Sequence, residues 1–120
     1  MEISKELTKT ELDLMKVIWS IGKAFLSDIV NATPEPRPAY TTTSTILRIL
    51  KAKGYVDYKK YGNIHQYYPT VSKEDYACFA LKRMRAHFFG DSTTDMISFF
   101  IKNENISKSE KEEIVNSLNV

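Results

Sequence analysis

The chain has 120 residues, 42% of them hydrophobic, and a net charge of +2, a size that allows one modest core, or two small ones if the second is shared, and disfavours elaborate catalysis. No run of about 18 apolar residues occurs, and residues 1–5 lack the features of a secretory signal, so we expect a cytoplasmic protein without membrane insertion. Cys78 is the only cysteine, which excludes an internal disulfide and a cysteine-based zinc cluster, and its thiol is expected to be buried.

The first predicted helix begins with a capping signal. Thr8 can cap the helix together with Glu11, three residues later. Apolar residues then recur at helical spacing as far as Gly22, a residue type that often follows a helix end. We therefore expect a helix over residues 9–21, with Trp19 in the core.

A short second helix is predicted over residues 26–32. Ser27 is one candidate for its N-cap. Three prolines within residues 34–38 then force an extended connection, because proline disfavours helical backbone at the residue before it.

The third predicted helix covers residues 41–53 and ends at Gly54, and its two faces differ in chemistry. One stripe has the spacing of a buried face. The other, about 200° around the helix, carries short hydroxyls and one guanidinium without any acid, which suits close approach to phosphates and base edges. An ordinary polar helix face is the alternative. The first stripe consists of Thr43, Ile46, Leu47 and Leu50, and the second of Thr41, Ser44, Thr45 and Arg48.

A basic β-hairpin is predicted after Gly54. Residues 55–60 alternate aromatic or branched with polar side chains, residues 61–63 offer a turn, and residues 64–68 resume β-type composition before Pro69. Residues 37–60 carry a charge of about +5, whereas residues 72–120 carry about −1. Such a patch attracts phosphates, with a solvated surface as the alternative. Its cations are Arg37, Arg48, Lys51, Lys53, Lys59 and Lys60.

Three further helices are predicted over residues 73–89, 93–102 and 108–119. Ser72 and the acids that follow it resemble a helix cap, so the domain boundary is placed at residue 71 or 72. These helices carry more apolar side chains than they can bury by themselves, and we interpret the region as a two-fold dimer interface. A self-contained lid on the first domain is the alternative. The interface residues are Tyr76, Phe79, Met84, Phe88, Met96, Phe99, Phe100, Ile114 and Leu118.

The order of three helices and a basic hairpin is that of a winged helix-turn-helix. The predicted fold is mainly α with a small β-hairpin: a winged helix-turn-helix domain over residues 1–71 and a C-terminal helical dimerisation domain over residues 72–120. In this fold the third helix enters the major groove and the hairpin lies along the backbone. Arg48 would then lie at the groove.

Three segments resemble the penicillinase repressor and methicillin-resistance regulator family of the BlaI/MecI type. The similarity extends over essentially the whole chain, and its sharpest motifs lie within residues 7–71. The first segment contains Leu7, Thr8, Glu11, Leu12, Met15, Ile18 and Trp19, the second Asp28, Ile29 and Val30, and the third Tyr40, Thr41, Thr42, Thr45, Leu47, Leu50, Lys53 and Gly54.

The resemblance implies a homodimer that represses genes by occupying pseudo-palindromic operators in double-stranded DNA. It also implies that the C-terminal helices are intertwined and that the third helix reads the DNA. Together with the basic patch, it leads us to assign DNA binding to Arg37, Tyr40, Thr41, Thr42, Ser44, Thr45, Arg48, Lys51, Lys59 and Lys60.

The chain departs from its relatives at three places. Ile49 lies where relatives often have an arginine, which leaves an apolar side chain to pack or to touch a thymine methyl. Relatives that answer β-lactam antibiotics are inactivated by cleavage of an Asn-Phe bond, and the matching positions are Ser98 and Phe99, a candidate site for a regulatory protease. Copper-responsive relatives use clustered C-terminal cysteines, whereas no cysteine follows Cys78.

Two other classes of function compete with a repressor. A winged-helix module could serve protein assembly without binding DNA, but the charge asymmetry and the hydroxyl stripe argue against it. An enzyme is disfavoured because neither a phosphate-cradling glycine-rich loop nor an HExxH metal motif occurs. Cys78 and His87 are nine residues apart on one predicted helix, about 13 Å, too far for a direct hydrogen bond. We expect no catalytic residue, cofactor or metal.

Overall fold

The computed structural model describes residue 3 and residues 5–119. The chain divides into two compact units, Met1–Phe79 and Ala80–Val120. The division lies inside a helix, after the boundary that the sequence predicted at residue 71 or 72. The elements are α1 (Lys9–Ile21), β1 (Ala24–Phe25), α2 (Leu26–Ala32), α3 (Tyr40–Ala52), β2 (Val56–Tyr61), β3 (Ile64–Pro69), α4 (Lys73–Phe88), α5 (Thr93–Asn103) and α6 (Lys108–Leu118).

This order confirms the predicted fold class, mainly α with a small β-hairpin. The first unit has the three helices and the hairpin of a winged helix-turn-helix. None of the helices in the described part of the chain combines the length and the apolar character that a bilayer crossing needs.

Helix α1 begins and ends where its sequence predicted. The Thr8 hydroxyl accepts from the Glu11 N–H at 3.2 Å, and the Glu11 carboxylate accepts from the Thr8 N–H at 2.9 Å, so the capping box is complete. At the other end Gly22 has φ +85°, a conformation that favours glycine, and its N–H donates to the Ile18 carbonyl at 2.8 Å.

Helix α2 starts two residues earlier than a Ser27 cap requires, so that predicted cap is wrong. Phe25 occupies the N-cap position, and its N–H donates to the Asp28 carboxylate at 3.0 Å. Ser27 lies inside the first turn. The chain just before α2 forms β1, a two-residue strand that the sequence analysis did not predict.

The sheet has three antiparallel strands in the order β1-β3-β2. In the hairpin, Val56 pairs with Pro69 at one end and Tyr61 pairs with Ile64 at the other. Strand β1 adds to the free edge of β3 by pairing Ala24 with Tyr67. The hairpin is therefore tied to the segment that leads into α2.

The core of the first unit lies between α1, α2, α3 and the base of the hairpin. Tyr55, which the sequence assigned to the first hairpin strand, lies just before β2. Its side chain is 1% exposed. Its hydroxyl donates to the Lys5 carbonyl, and burial raises the pKa of Tyr55 to about 12. The core residues are Leu14, Met15, Ile18, Ala24, Ile29, Ile46, Leu47, Leu50, Tyr55, Val56 and Val71.

The start of α4 packs on the first unit through Tyr76. Its ring contacts Tyr55 edge-on, with centroids 5.7 Å apart, and lies 6.3 Å from the ring of Trp19. Its hydroxyl accepts from the Leu7 N–H at 3.1 Å. Trp19 in turn donates from its indole N–H to the Val71 carbonyl at 2.9 Å. The beginning of α4 is therefore part of the winged-helix unit.

The second unit consists of the end of α4 with α5 and α6. Ser92 and Ser107 cap α5 and α6 by accepting from the backbone N–H three residues later, each at 3.1 Å. Arg85 donates to the Asp91 carboxylate at 2.8 Å and braces the turn between α4 and α5. No described residue of this unit is buried.

Candidate nucleic-acid interface

Helix α3 separates its buried and exposed sides as the sequence predicted. Thr43, Ile46, Leu47 and Leu50 are all buried. On the outer side Thr41, Thr45 and Arg48 are exposed, and Ser44 is half-buried. The guanidinium of Arg48 has no hydrogen bond or ion pair with the residues that the structure describes, so it is available to a partner.

Packing holds this helix in place more than its own sequence does. Its N-cap, Ala39, has no side chain that can cap, and threonine is a mediocre helix former. Tyr40, the first residue of the helix, is half exposed. Thr45 donates from its hydroxyl to the Thr41 carbonyl at 3.0 Å, so its proton is already engaged within the helix.

One flank of α3 contacts the hairpin through Lys51. Its ammonium lies 3.5 Å from the Asp57 carboxylate and 5.4 Å from the centroid of the Tyr58 ring. The Tyr58 N–H donates to the Asp57 carboxylate, and this hydrogen bond is the main cause that lowers the pKa of Asp57. Slight burial raises that pKa, and the charge of Lys51 lowers it further. Tyr58 is stacked on His65 with ring centroids 3.8 Å apart. These contacts fix the hairpin beside α3.

Lys59 and Lys60 are both exposed but lie on opposite faces of β2, because side chains alternate along a strand. Lys60 shares its face with Tyr58, which contacts α3, and is paired with His65. Lys59 lies on the other face, with its ammonium 5.5 Å from the ring centroid of Tyr61. Lys60 therefore shares its face of the strand with Tyr58 and with buried Val56, whereas Lys59 lies on the opposite face.

Arg37 is engaged within its own chain. Its guanidinium donates to the carbonyls of Thr33 at 2.8 Å and Asn31 at 2.9 Å, and lies 3.6 Å from the Glu35 carboxylate. These carbonyls belong to the end of α2 and the residue after it. The structure thus gives Arg37 a role that the sequence analysis missed, which is to organise the connection between α2 and α3.

Lys53, counted in the basic patch by its sequence, forms a shielded ion pair instead. Its ammonium lies 2.6 Å from the carboxylate of Glu11, which is 6% exposed, and it also donates to the Glu6 carbonyl at 3.2 Å. Burial raises the pKa of Glu11, but hydrogen bonds from Lys53 and Thr8 together with the Lys53 charge outweigh it, and the net pKa is lowered. The pair joins the start of α1 to the end of α3.

One local signal pointed to this pair: the capping box placed Glu11 at the start of α1. The partner of Glu11 lies 42 residues away, and no local pattern identifies it. Lys53 is therefore not a free cation for phosphates.

Residues assigned to dimerisation fall into two groups. Tyr76 and Phe79 lie in the first unit, where they are half-buried and their rings lie 5.9 Å apart. The other residues of this set lie in the second unit: Met84, Phe88, Phe99, Phe100 and Leu118 are exposed, and Met96 and Ile114 are half-buried.

Other predicted features of this region are also at the surface. Ser98, in the candidate cleavage bond, is exposed in α5 next to Phe99. Cys78 is exposed, so the expectation of a buried thiol is wrong for this chain, because Cys78 lies on the outer side of α4. Within the described ranges, no three His, Cys, Asp or Glu side chains are grouped as metal ligands would be.

Comparison with known proteins agrees with this geometry. The methicillin resistance regulatory protein MecI of Mammaliicoccus sciuri is 28% identical over 115 residues, which are 95% of this chain and 94% of that protein. The penicillinase repressor of Bacillus licheniformis is 25% identical over 114 residues, covering 91% and 86%. The solution structure of the DNA-binding domain of the repressor BlaI has a TM-score of 0.55 at 26% identity and covers 63% of this chain and 94% of that one.

The family model described as penicillinase repressor matches residues 7–120, which is nearly the whole chain. This confirms the family that the motifs of α1, α2 and α3 indicated. The chain therefore belongs to the penicillinase repressor family, a family of transcriptional repressors and not of enzymes.

Proposed function

We propose that the chain is a dimeric transcriptional repressor that binds pseudo-palindromic operator DNA through α3 and the basic hairpin. One observation carries the proposal: α3 buries one side completely and presents hydroxyls and an unengaged arginine on the other. No acid lies on that helix to repel phosphates. Short hydroxyls and a guanidinium are groups that read base edges in a major groove.

The proposed contacts divide into base-reading and phosphate-binding residues. Arg48 is the principal base-reading residue, because a guanidinium can make two hydrogen bonds to a guanine edge. Of the hairpin cations, Lys60 is better placed than Lys59, and Arg37 contributes mainly by holding the α2–α3 connection. The base-reading set is Thr41, Thr42, Ser44, Thr45 and Arg48, and the phosphate-binding set is Tyr40, Lys51, Lys60, Lys59 and, in part, Arg37.

Dimerisation is assigned to the second unit with a second copy of this chain as the partner. Phe88 and Leu118 are 76% and 72% exposed, and Phe99 and Phe100 are more than half exposed. Monomeric proteins rarely leave so many large apolar side chains in water within so few residues. Two copies joined through this unit would present two copies of α3 to the two halves of a palindromic site.

Relief of repression by proteolysis is part of the proposal. The bond between Ser98 and Phe99 lies in α5, and both residues are exposed. A cut there would divide the apolar surface that pairs the two copies. Because the bond is helical, a regulatory protease would need α5 to unfold locally first. The cytoplasm of a bacterial cell, where operator DNA is accessible, is the proposed location.

The test of DNA binding compares Arg48→Ala with Arg48→Lys in gel-shift titrations on the protein's own upstream region and on random duplexes. Arg48→Ala should weaken operator binding by about 1 to 3 kcal/mol and leave random DNA nearly unaffected. Arg48→Lys should lose most of the same specificity, because an ammonium does not form the two-pronged contact. Lys16→Ala, which removes an exposed cation from α1, is the charge control.

Equal losses on operator and random DNA would reassign Arg48 to a phosphate. If the unmodified protein showed no preference among duplexes, the proposed function would be overturned and a winged-helix assembly module would be favoured.

A further inference from the structure

Ile49 is a large apolar side chain that the fold leaves in water. It is 41% exposed on α3, a helix whose other large aliphatic side chains are buried. Packing against its own chain, one of the two roles that the sequence left open, therefore leaves 41% of its surface uncovered. The exposed part of Ile49 is an apolar surface on the same helix as the exposed hydroxyls and Arg48, where a bound partner can contact it.

Helical geometry places Ile49 on a defined flank of α3. At about 100° per residue, Ile49 lies about 40° from Thr45 and about 20° from Thr42, and Lys51 lies on the other flank. Lys51 contacts the hairpin residues Asp57 and Tyr58. The flank that carries Ile49 is thus the one turned away from the hairpin.

This flank combines methyl groups with hydroxyls, and one of those hydroxyls is engaged within the helix. The Thr45 hydroxyl already donates a hydrogen bond to the Thr41 carbonyl at 3.0 Å. Thr42 and Thr45, both exposed, each add a methyl group beside Ile49. In a major groove, the apolar feature that matches such a surface is the 5-methyl group of thymine.

We propose that Ile49 is a specificity-determining residue that contacts the 5-methyl group of a thymine in each half of the operator. The inference rests on the proposed function, because it needs α3 in the major groove. Arg48 and Ile49 then divide the reading between them: the arginine recognises hydrogen-bonding edges, and the isoleucine recognises a methyl group on the neighbouring flank.

The test removes the methyl group from either side of the contact. Binding sites are first selected from random duplexes with the full-length protein, and each thymine of one half-site is then replaced in turn by deoxyuridine, which lacks only that methyl. The unmodified protein should lose affinity about fourfold at one thymine position, the equivalent of about 0.8 kcal/mol for one methyl removed from water. The Ile49→Ala variant should bind thymine and deoxyuridine equally at that position.

Ile21→Ala is the matched control, since Ile21 is similarly exposed, at 38%, but lies at the end of α1. This variant should keep the full thymine preference, and circular dichroism should show all three proteins folded. The inference is overturned if Ile49→Ala still discriminates thymine from deoxyuridine at the sensitive position, or if no position is sensitive while Arg48→Ala still abolishes specificity. Absence of any selected sequence would overturn the proposed function and this inference with it.

Discussion

The two units of the chain differ in what they bury. The first unit encloses a continuous core of aliphatic and aromatic side chains from three helices and the hairpin base. The second unit has three helical segments, two of them with serine caps, but no buried described residue. Local signals are therefore enough to form helices, but burial decides whether helices make an independent fold. We therefore expect the first unit to fold by itself and, under the dimer proposal, the second unit to depend on a partner.

Truncation after Phe79 tests this difference and has the largest expected effect. The remaining chain should stay folded and monomeric, and its operator affinity should fall by about 10² to 10⁴, because two half-sites no longer bind as one linked unit. Sedimentation and gel-shift titration measure both properties.

Truncation after Val71 is the control for the position of the cut. It also removes Tyr76, which packs on Tyr55 and Trp19, so this shorter chain should melt at a lower temperature than the chain ending at Phe79. Undiminished operator affinity of either monomer would contradict the dimer proposal.

A core substitution in the first unit should lower its unfolding free energy by about 3 kcal/mol more than a surface substitution in the second unit does. Leu47 is fully buried, and Leu47→Ala should destabilise the first unit by about 2 to 5 kcal/mol in urea denaturation. Phe88 is 76% exposed in one copy, so Phe88→Ala in the full chain should leave the unfolding free energy of the first unit unchanged and should raise the dimer dissociation constant. If Phe88→Ala left dimerisation unchanged, the apolar surface of α4 would lie outside the interface.

The Glu11–Lys53 pair should stabilise the first unit by a smaller amount. Lys53→Met leaves the shielded carboxylate of Glu11 without its cation and should cost about 2 to 3 kcal/mol of unfolding free energy. Lys9→Met, which breaks the solvent-exposed pair with Asp13, should cost under about 0.5 kcal/mol. Similar losses in the two variants would mean that solvent screens both pairs alike.

The same pair predicts an acid dependence of the unmodified protein. The folded pKa of Glu11 is below its ordinary value of 4.5. The resulting stabilisation is fully present above that value and is lost as pH falls through the folded pKa. Urea denaturation between about pH 6 and pH 3 should show this loss, and Lys53→Met should not.

Among the substitutions of buried residues, Thr43→Val should produce the smallest change, and in the opposite direction. The Thr43 hydroxyl is buried, at 1% exposure, and has no hydrogen-bond partner among the described residues. Valine has the same shape without the hydroxyl, so the first unit should become more stable by about 1 kcal/mol. Thr45→Val, at an exposed position, should give no such gain. A destabilised Thr43→Val variant would show that the hydroxyl is satisfied by water.

Local signals predicted most of the fold. Capping residues and helical spacing placed α1 at its observed bounds, and the two-faced pattern of α3 identified all four of its buried residues. These features depend on residues within one or two turns of each other. The strand β1 was missed because two residues carry no periodicity, and it exists only through its pairing with β3.

The candidate site was predicted less completely, because charge alone does not tell which cations are free. Lys53 is paired with a residue from another helix, and Arg37 is engaged with backbone carbonyls of α2. By sequence alone, both are cations of the same basic stretch, residues 37–60, as Arg48. The apolar spacing of α4 assigns Tyr76 to the dimer surface. Its observed contacts are with Leu7 and Tyr55, which lie in the first unit and are distant in sequence.

The shielding of Lys53 has a consequence for how the protein responds to ionic strength. Added salt screens exposed charges strongly and shielded ones much less, so under the proposed function it should weaken the attraction of Lys60 and Arg48 for DNA and should affect the Lys53–Glu11 pair much less. We therefore expect an increase in salt concentration to release DNA from the proposed interface while α3 stays folded.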